Sequence, residues 1–229
     1  MPFDADLRAA ADDLWEAQHN HPFVRGLGDG TLPAERFREY IAQDYVFLID
    51  YGRLLALGAA KAPDLPTMRK FAELTQAILV TEMDLHRSLA AGWGVDEETL
   101  AATVPSPATA AYVDFLLRTA ALGDFAELVA VLLPCMWSYA EIGERLDDAA
   151  AAGAADPGPY RAWVETYASD EFGELADWCR RLTAELGADA REAGRARMTQ
   201  AFLGASRHEL AFWEACWRPR TGSERAQTS

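Results

Sequence analysis

Cysteine and histidine are scarce in this chain of 229 residues, with three of the one and four of the other. The cysteines, Cys135, Cys179 and Cys216, are odd in number, far apart and without CxxC spacing. That excludes a disulfide framework and gives no zinc-binding pattern. Also missing is any alternation of polar and β-branched residues of the kind that marks a strand. Positive charge is short: 21 Lys and Arg face 36 Asp and Glu, for a formal net charge of −15. Such a field repels phosphate backbones and anionic membrane surfaces, so no nucleic-acid partner is expected. The opening MPFDADLRAAADDLWEAQ carries acids throughout and so does not read as a targeting segment. No uninterrupted apolar run reaches the roughly 18 residues needed to span a bilayer. A cytoplasmic protein with no membrane partner is the expectation.

What is present is helix-forming sequence. About half of the residues are apolar, and Ala/Leu/Glu/Arg-rich amphipathic segments alternate with short Gly/Pro breaks. The reading is all-α, one domain over residues 1–217 followed by a polar tail, 218–229, expected to be disordered. Seven or eight helices are expected: one from about Asp4 to Gln18, then a loop HNHPFVRGLGDGTLP, then a long apolar helix after Pro33. A third follows Pro66 and runs unbroken to Gly92 or Gly94. Others lie near 107–121, 125–148, 159–169, 171–186 and 188–217. The alanine-rich linker AAAAGAADPGP is expected to be mobile.

Three polar residues do not fit the apolar pattern. Asp44 has Tyr40, Ile41, Phe47 and Leu48 as its helical neighbours, and Glu209 sits among Ala205, Leu210, Phe212 and Trp213. A carboxylate on an apolar face is costly to bury unless paired. Cys135 by itself would read as an inert core thiol, but it follows Pro134 in LLPCMWSYAE. Proline inside a helix costs about 3 kcal/mol and leaves the carbonyl four residues earlier without its donor. Such breaks are kept where the backbone lines a cavity or re-aims a side chain. Aromatic residues, among them Phe47, Tyr51, Tyr112, Trp137, Tyr139, Trp163 and Tyr167, lie on segments able to face one core. Buried tyrosine hydroxyls need partners, and a flat heteroaromatic ligand would supply polar edges and a π-face.

The motifs HPFVRGLGDGTLPAERFREYIAQD, TEMDLH, LLPCMWSYAEIGERL, WVETYASDEF and HELAFWEACW, in this order between about residues 5 and 217, resemble the thiaminase II (TenA) proteins of the cysteine-containing type. The resemblance implies a heme-oxygenase-like helical bundle, a homotetramer, no cofactor, and hydrolysis of 4-amino-5-aminomethyl-2-methylpyrimidine or thiamin to the hydroxymethyl pyrimidine in thiamin salvage. It further implies Cys135 as nucleophile, Glu209 as acid/base carboxylate and Asp44 as the acid that recognises the pyrimidine. Tyr112, Tyr139 and Tyr167 would line the site, with Phe47 standing where the family often has tyrosine. Such chemistry needs these residue types. A thiolate adding to the ring breaks its aromaticity and lets ring electrons expel the leaving group, so the nucleophile must be soft and also leave well. Carboxyl groups move the protons and hold ring nitrogens.

Two rivals belong to other classes. Glu82 and His86 stand four apart in EMDLH, a spacing suited to a metal, so a dinuclear iron oxidase of the same bundle type is one alternative. With four histidines it lacks ligands, and the Glu82–His86 pair reads as an ordinary contact along one helix. A non-catalytic helical regulator is the other. It leaves Cys135, Asp44 and Glu209 without a reason for their apolar settings.

Overall fold

The computed structural model describes residues 2–218, so all but one residue of the tail lies outside the described residues. Twelve α-helices form the described chain: α1 (Phe3–Ala10), α2 (Asp12–His19), α3 (Pro22–Gly28), α4 (Ala34–Lys61), α5 (Leu65–Gln76), α6 (Met83–Gly92), α7 (Glu97–Ala101), α8 (Pro107–Leu122), α9 (Phe125–Ala151), α10 (Arg161–Tyr167), α11 (Asp170–Asp189) and α12 (Glu192–Trp217). Among the described residues there is no strand. A six-residue π-helical turn, Ala77–Glu82, joins α5 to α6, and a 3-10 turn, Gly158–Tyr160, leads into α10.

The helix starts follow their side chains. Asp64, Asp96 and Ser106 each accept from the backbone N–H three residues on, and Asp124 with Glu127 closes a reciprocal capping box. Gly94, with φ +78°, lets the chain leave α6 in the left-handed region. α9 is the central element, packed against α8, α10, α11 and α12, with Leu128 to Pro134 all buried. It is long and apolar enough to cross a bilayer, yet 67% of its most apolar stretch is buried inside the protein, as befits a core helix. α4 runs alongside α5 and α8 and also touches α9 and α12.

Four expectations are corrected. The first helix is two, broken at Ala11, so that α1 lies against α11 while α2 lies against α12. Residues 22–28, expected as loop, are helical: the His21 ring accepts from the N–H of Phe23, Pro22 sits in the first turn, and Phe23, Val24 and Leu27 are buried. Gly26 there is no breaker, because a Cβ on it would come within 3.0 Å of the Leu32 backbone. The single helix after Pro66 is three segments. In the alanine-rich linker, residues 149–151 extend α9, the N–H of Ala154 returns to the Ala149 carbonyl, and Asp156 accepts from Gly158.

Candidate active site

One face of α4 carries Tyr40, Asp44, Phe47, Leu48 and Tyr51, spaced by three, four and seven so that all project the same way. Opposite it α9 presents Cys135, Met136 and Tyr139. The π turn adds Ile78 and Glu82, α10 adds Tyr167 and α11 adds Phe172. Together with Asp44, Phe47, Leu48 and Tyr51 they line one cavity. The α9 helix continues through Pro134, and of the three cysteines Cys135 is the one lining this cavity. Cys179 and Cys216 are buried elsewhere, and burial pushes the Cys179 thiol up to about 12.

The polar groups form two linked sets. In the first, Oδ2 of Asp44 accepts from Tyr40 at 3.1 Å and lies 2.6 Å from Nε2 of His86, which α6 places there. Nδ1 of His86 is 2.9 Å from the backbone carbonyl of Glu82. A carbonyl can only accept, so Nδ1 carries a proton; the 2.6 Å contact from Nε2 to the carboxyl oxygen needs a second one, which makes the pair an imidazolium facing a carboxylate. Burial opposes that charge, and the Asp44 carboxylate more than offsets it, so the His86 pKa is raised. Trp163 Nε1 donates to the Tyr40 oxygen at 3.1 Å, and Tyr40 stacks on Trp213.

In the second set, the Tyr112 hydroxyl donates to Oε1 of Glu209. Glu209, 1% exposed, lies against Cys135 behind the cavity wall. Burial pushes its carboxyl up to about 8; the Tyr112 hydrogen bond works against this and the Asp44 charge adds to it. The Cys135 thiol is held well above its ordinary value of 9.0 by burial and then by the charges of Glu209, Glu82 and Asp44. Tyr51 lies within hydrogen-bond reach of that thiol while its hydroxyl donates to the Leu132 carbonyl at 2.9 Å. Here is a hydroxyl near sulfur despite Phe47, one turn earlier, which stacks on Tyr51 at 5.6 Å and meets Tyr112 at a tilt at 5.0 Å.

All seven residues singled out from sequence thus come together. Asp44, Phe47, Cys135, Tyr139 and Tyr167 line the cavity, while Tyr112 and Glu209 stand behind Cys135 and Phe47. The Glu82–His86 contact along the helix is present through the Glu82 backbone carbonyl, while the two side chains go to other partners. His86 pairs across helices with Asp44, and Glu82 takes a 2.7 Å hydrogen bond from Tyr167 and faces the cavity. Donor atoms of Asp44, Glu82 and His86 fall within 4.8 Å of one another, the one such group among the described residues. A dinuclear centre of the carboxylate type draws on about six side chains, and both ring nitrogens of His86 are already engaged. The arrangement is that of a hydrogen-bonded ion pair. Only the spacing in EMDLH hinted that Glu82 and His86 belong to the site.

A sequence profile of the TENA/THI-4/PQQC family matches residues 8–219. The chain belongs to this family. Among its relatives are aminopyrimidine aminohydrolases of Halalkalibacterium halodurans, 44% identical over 96% of this chain and 97% of that one, and of Bacillus subtilis, 37% identical over 99% and 94%. A solved TenA homologue from P. horikoshii superposes with a TM-score of 0.87 at 33% identity, covering 95% of this chain and 99% of that chain. The expected bundle type is also met. A Shewanella denitrificans domain with a heme oxygenase-like fold matches with a TM-score of 0.73 over 93% of this chain and 91% of that chain, at 15% identity.

Proposed function

We infer that this TENA/THI-4/PQQC chain is an aminopyrimidine aminohydrolase, a thiaminase II that replaces the amine of 4-amino-5-aminomethyl-2-methylpyrimidine by hydroxyl and cleaves thiamin to the same alcohol. The observation that carries the reading is a single cysteine facing an aromatic cavity with one buried carboxyl at its back and another across from it. Relatives bearing that activity in their names are similar over nearly the whole chain.

Cys135 is the nucleophile and Glu209 its proton partner. Burial keeps the thiol protonated, so its proton passes to an ionised Glu209 as sulfur adds to the ring. Ring electrons then expel ammonia from an arm that arrives as ammonium, leaving an exocyclic methylene. Water adds to that carbon and its spare proton goes to the ammonia. Sulfur departs with the proton stored on Glu209, and the ring becomes aromatic again. Asp44, fixed by His86 and Tyr40, presents its other oxygen to the amino-pyrimidine edge. Phe47, Tyr139 and Tyr167 enclose the ring, and Tyr112 orients Glu209.

The same reading takes residues 1–217 as one helical domain acting in cytoplasmic thiamin salvage. It also takes the chain as a homotetramer, for which exposed Leu65, Met68, Leu79 and Val80 offer apolar surface. Ammonia release from the aminomethyl pyrimidine, assayed beside thiamin cleavage, tests the activity. A protein that turns over neither substrate refutes it.

A further inference from the structure

Two carboxylates line the cavity, and the structure treats them differently. Asp44 is satisfied: it has the His86 cation and the Tyr40 hydroxyl. Glu82 has only a neutral donor. Tyr167 gives its hydroxyl proton to Oε1 at 2.7 Å, and no other side chain donates to this carboxylate among the described residues. The groups facing it are Tyr40, Asp44 and Tyr51 on α4, His86 on α6, Cys135 on α9 and Tyr167 on α10. The one cation among them, His86, has its ring nitrogens on Asp44 and on a backbone carbonyl. Glu82 is therefore a carboxylate aimed into an aromatic cavity without a countercharge of its own.

Resting on the aminohydrolase reading, we propose that Glu82 is a specificity-determining residue that pairs with the positive charge on the arm of the substrate. The partner is the ammonium of the aminomethyl pyrimidine or the thiazolium of thiamin. An alkyl ammonium is charged at neutral pH, as a lysine amine is. The hydroxymethyl product carries no charge there. Glu82 thus favours what enters over what leaves, and turnover removes the ion pair that held the substrate. Burial, only partly opposed by the His86 charge, raises the Glu82 carboxyl to about 7, and the Asp44 charge adds to this. The charged form that the cation needs is therefore costly until the cation arrives. Glu82 closes the π turn at 77–82 and lies on the cavity wall beside Ile78, four residues earlier on the same face.

The test is calorimetric titration of Cys135→Ser protein, which holds ligands without turning them over, with the aminomethyl and the hydroxymethyl pyrimidine. Adding Glu82→Gln, which keeps an acceptor for Tyr167, should weaken the amine about 10- to 100-fold and the alcohol by less than about threefold. Adding Glu82→Asp instead should retain most of the preference for the amine. In the protein with Glu82 intact, the amine-over-alcohol preference should rise with pH through about 7 as the carboxyl ionises, a measurement that needs no Glu82 variant to fold. Parallel losses for both ligands, an unchanged amine affinity in Glu82→Gln, or a preference indifferent to pH would overturn the proposal. Wild-type protein that prefers the amine yet releases no ammonia would refute the aminohydrolase reading and leave the role of Glu82 standing.

Discussion

Replacing Glu209 by Gln should destroy activity and, at alkaline pH, stabilise the fold. Glu209 is fully buried and its carboxyl is raised from an ordinary 4.5 to about 8. An acid with a raised folded pKa binds its proton more tightly in the native state than in the unfolded chain. Its contribution to stability is present below about 4.5 and is lost as pH rises through about 8. At about 1.4 kcal/mol per pH unit, the loss between about pH 5 and pH 9 is on the order of 4 kcal/mol. Glutamine has the same shape, and its carbonyl oxygen can accept the Tyr112 hydroxyl, so it removes the titration and little else. Urea unfolding of both proteins at the two pH values gives the difference of differences, in which groups that titrate alike cancel. The wild type should lose several kcal/mol more than the variant. Ammonia release should fall about 10²- to 10⁴-fold at neutral pH, the range for removing a positioned proton-transfer group. Parallel pH profiles in the two proteins would show that Glu209 is not a buried acid with a raised pKa. The proton relay to Cys135 would then lose its physical basis.

Cys135→Ser should abolish turnover on both substrates while product affinity stays within about threefold, whereas Cys179→Ser and Cys216→Ser, away from the cavity, should remain active in the same assay. Asp44→Asn breaks a buried pair and should cost about 3 kcal/mol or more. The His86 pKa is raised, so the cost should be largest below about 6.5 and shrink as pH rises, which melts across the pH range would show. Gly143→Ala should cost about 1 to 3 kcal/mol, because its Cβ would lie 2.4 Å from the Tyr167 carbonyl carbon and backbone cannot fold aside as a side chain can. Its kcat/KM should also fall as Tyr167 shifts from Glu82, and a variant with wild-type Tm and activity would contradict this packing.

The sequence by itself determined that the protein is all-α, where most helices start, and that Asp44, Cys135 and Glu209 are out of place on apolar faces. Those are local properties: the 3.6-residue repeat and the capping residues lie within one segment, and a buried acid shows as a break in that segment's own pattern. The tertiary structure decided what the periodicity could not carry. Ala11 breaks a continuous pattern because α1 and α2 bury against different helices, and residues 22–28 coil despite two glycines because their backbone packs against Leu32. The π turn has the same residue types as the α-helix on either side, and its wider winding shows only as a change of facing. Above all, the partners are nonlocal. His86 meets Asp44 across 42 positions, Tyr167 meets Glu82 across 85 and Tyr112 meets Glu209 across 97. A residue's own helix dictates which side of it is buried; which other buried group it then touches depends on how the helices pack.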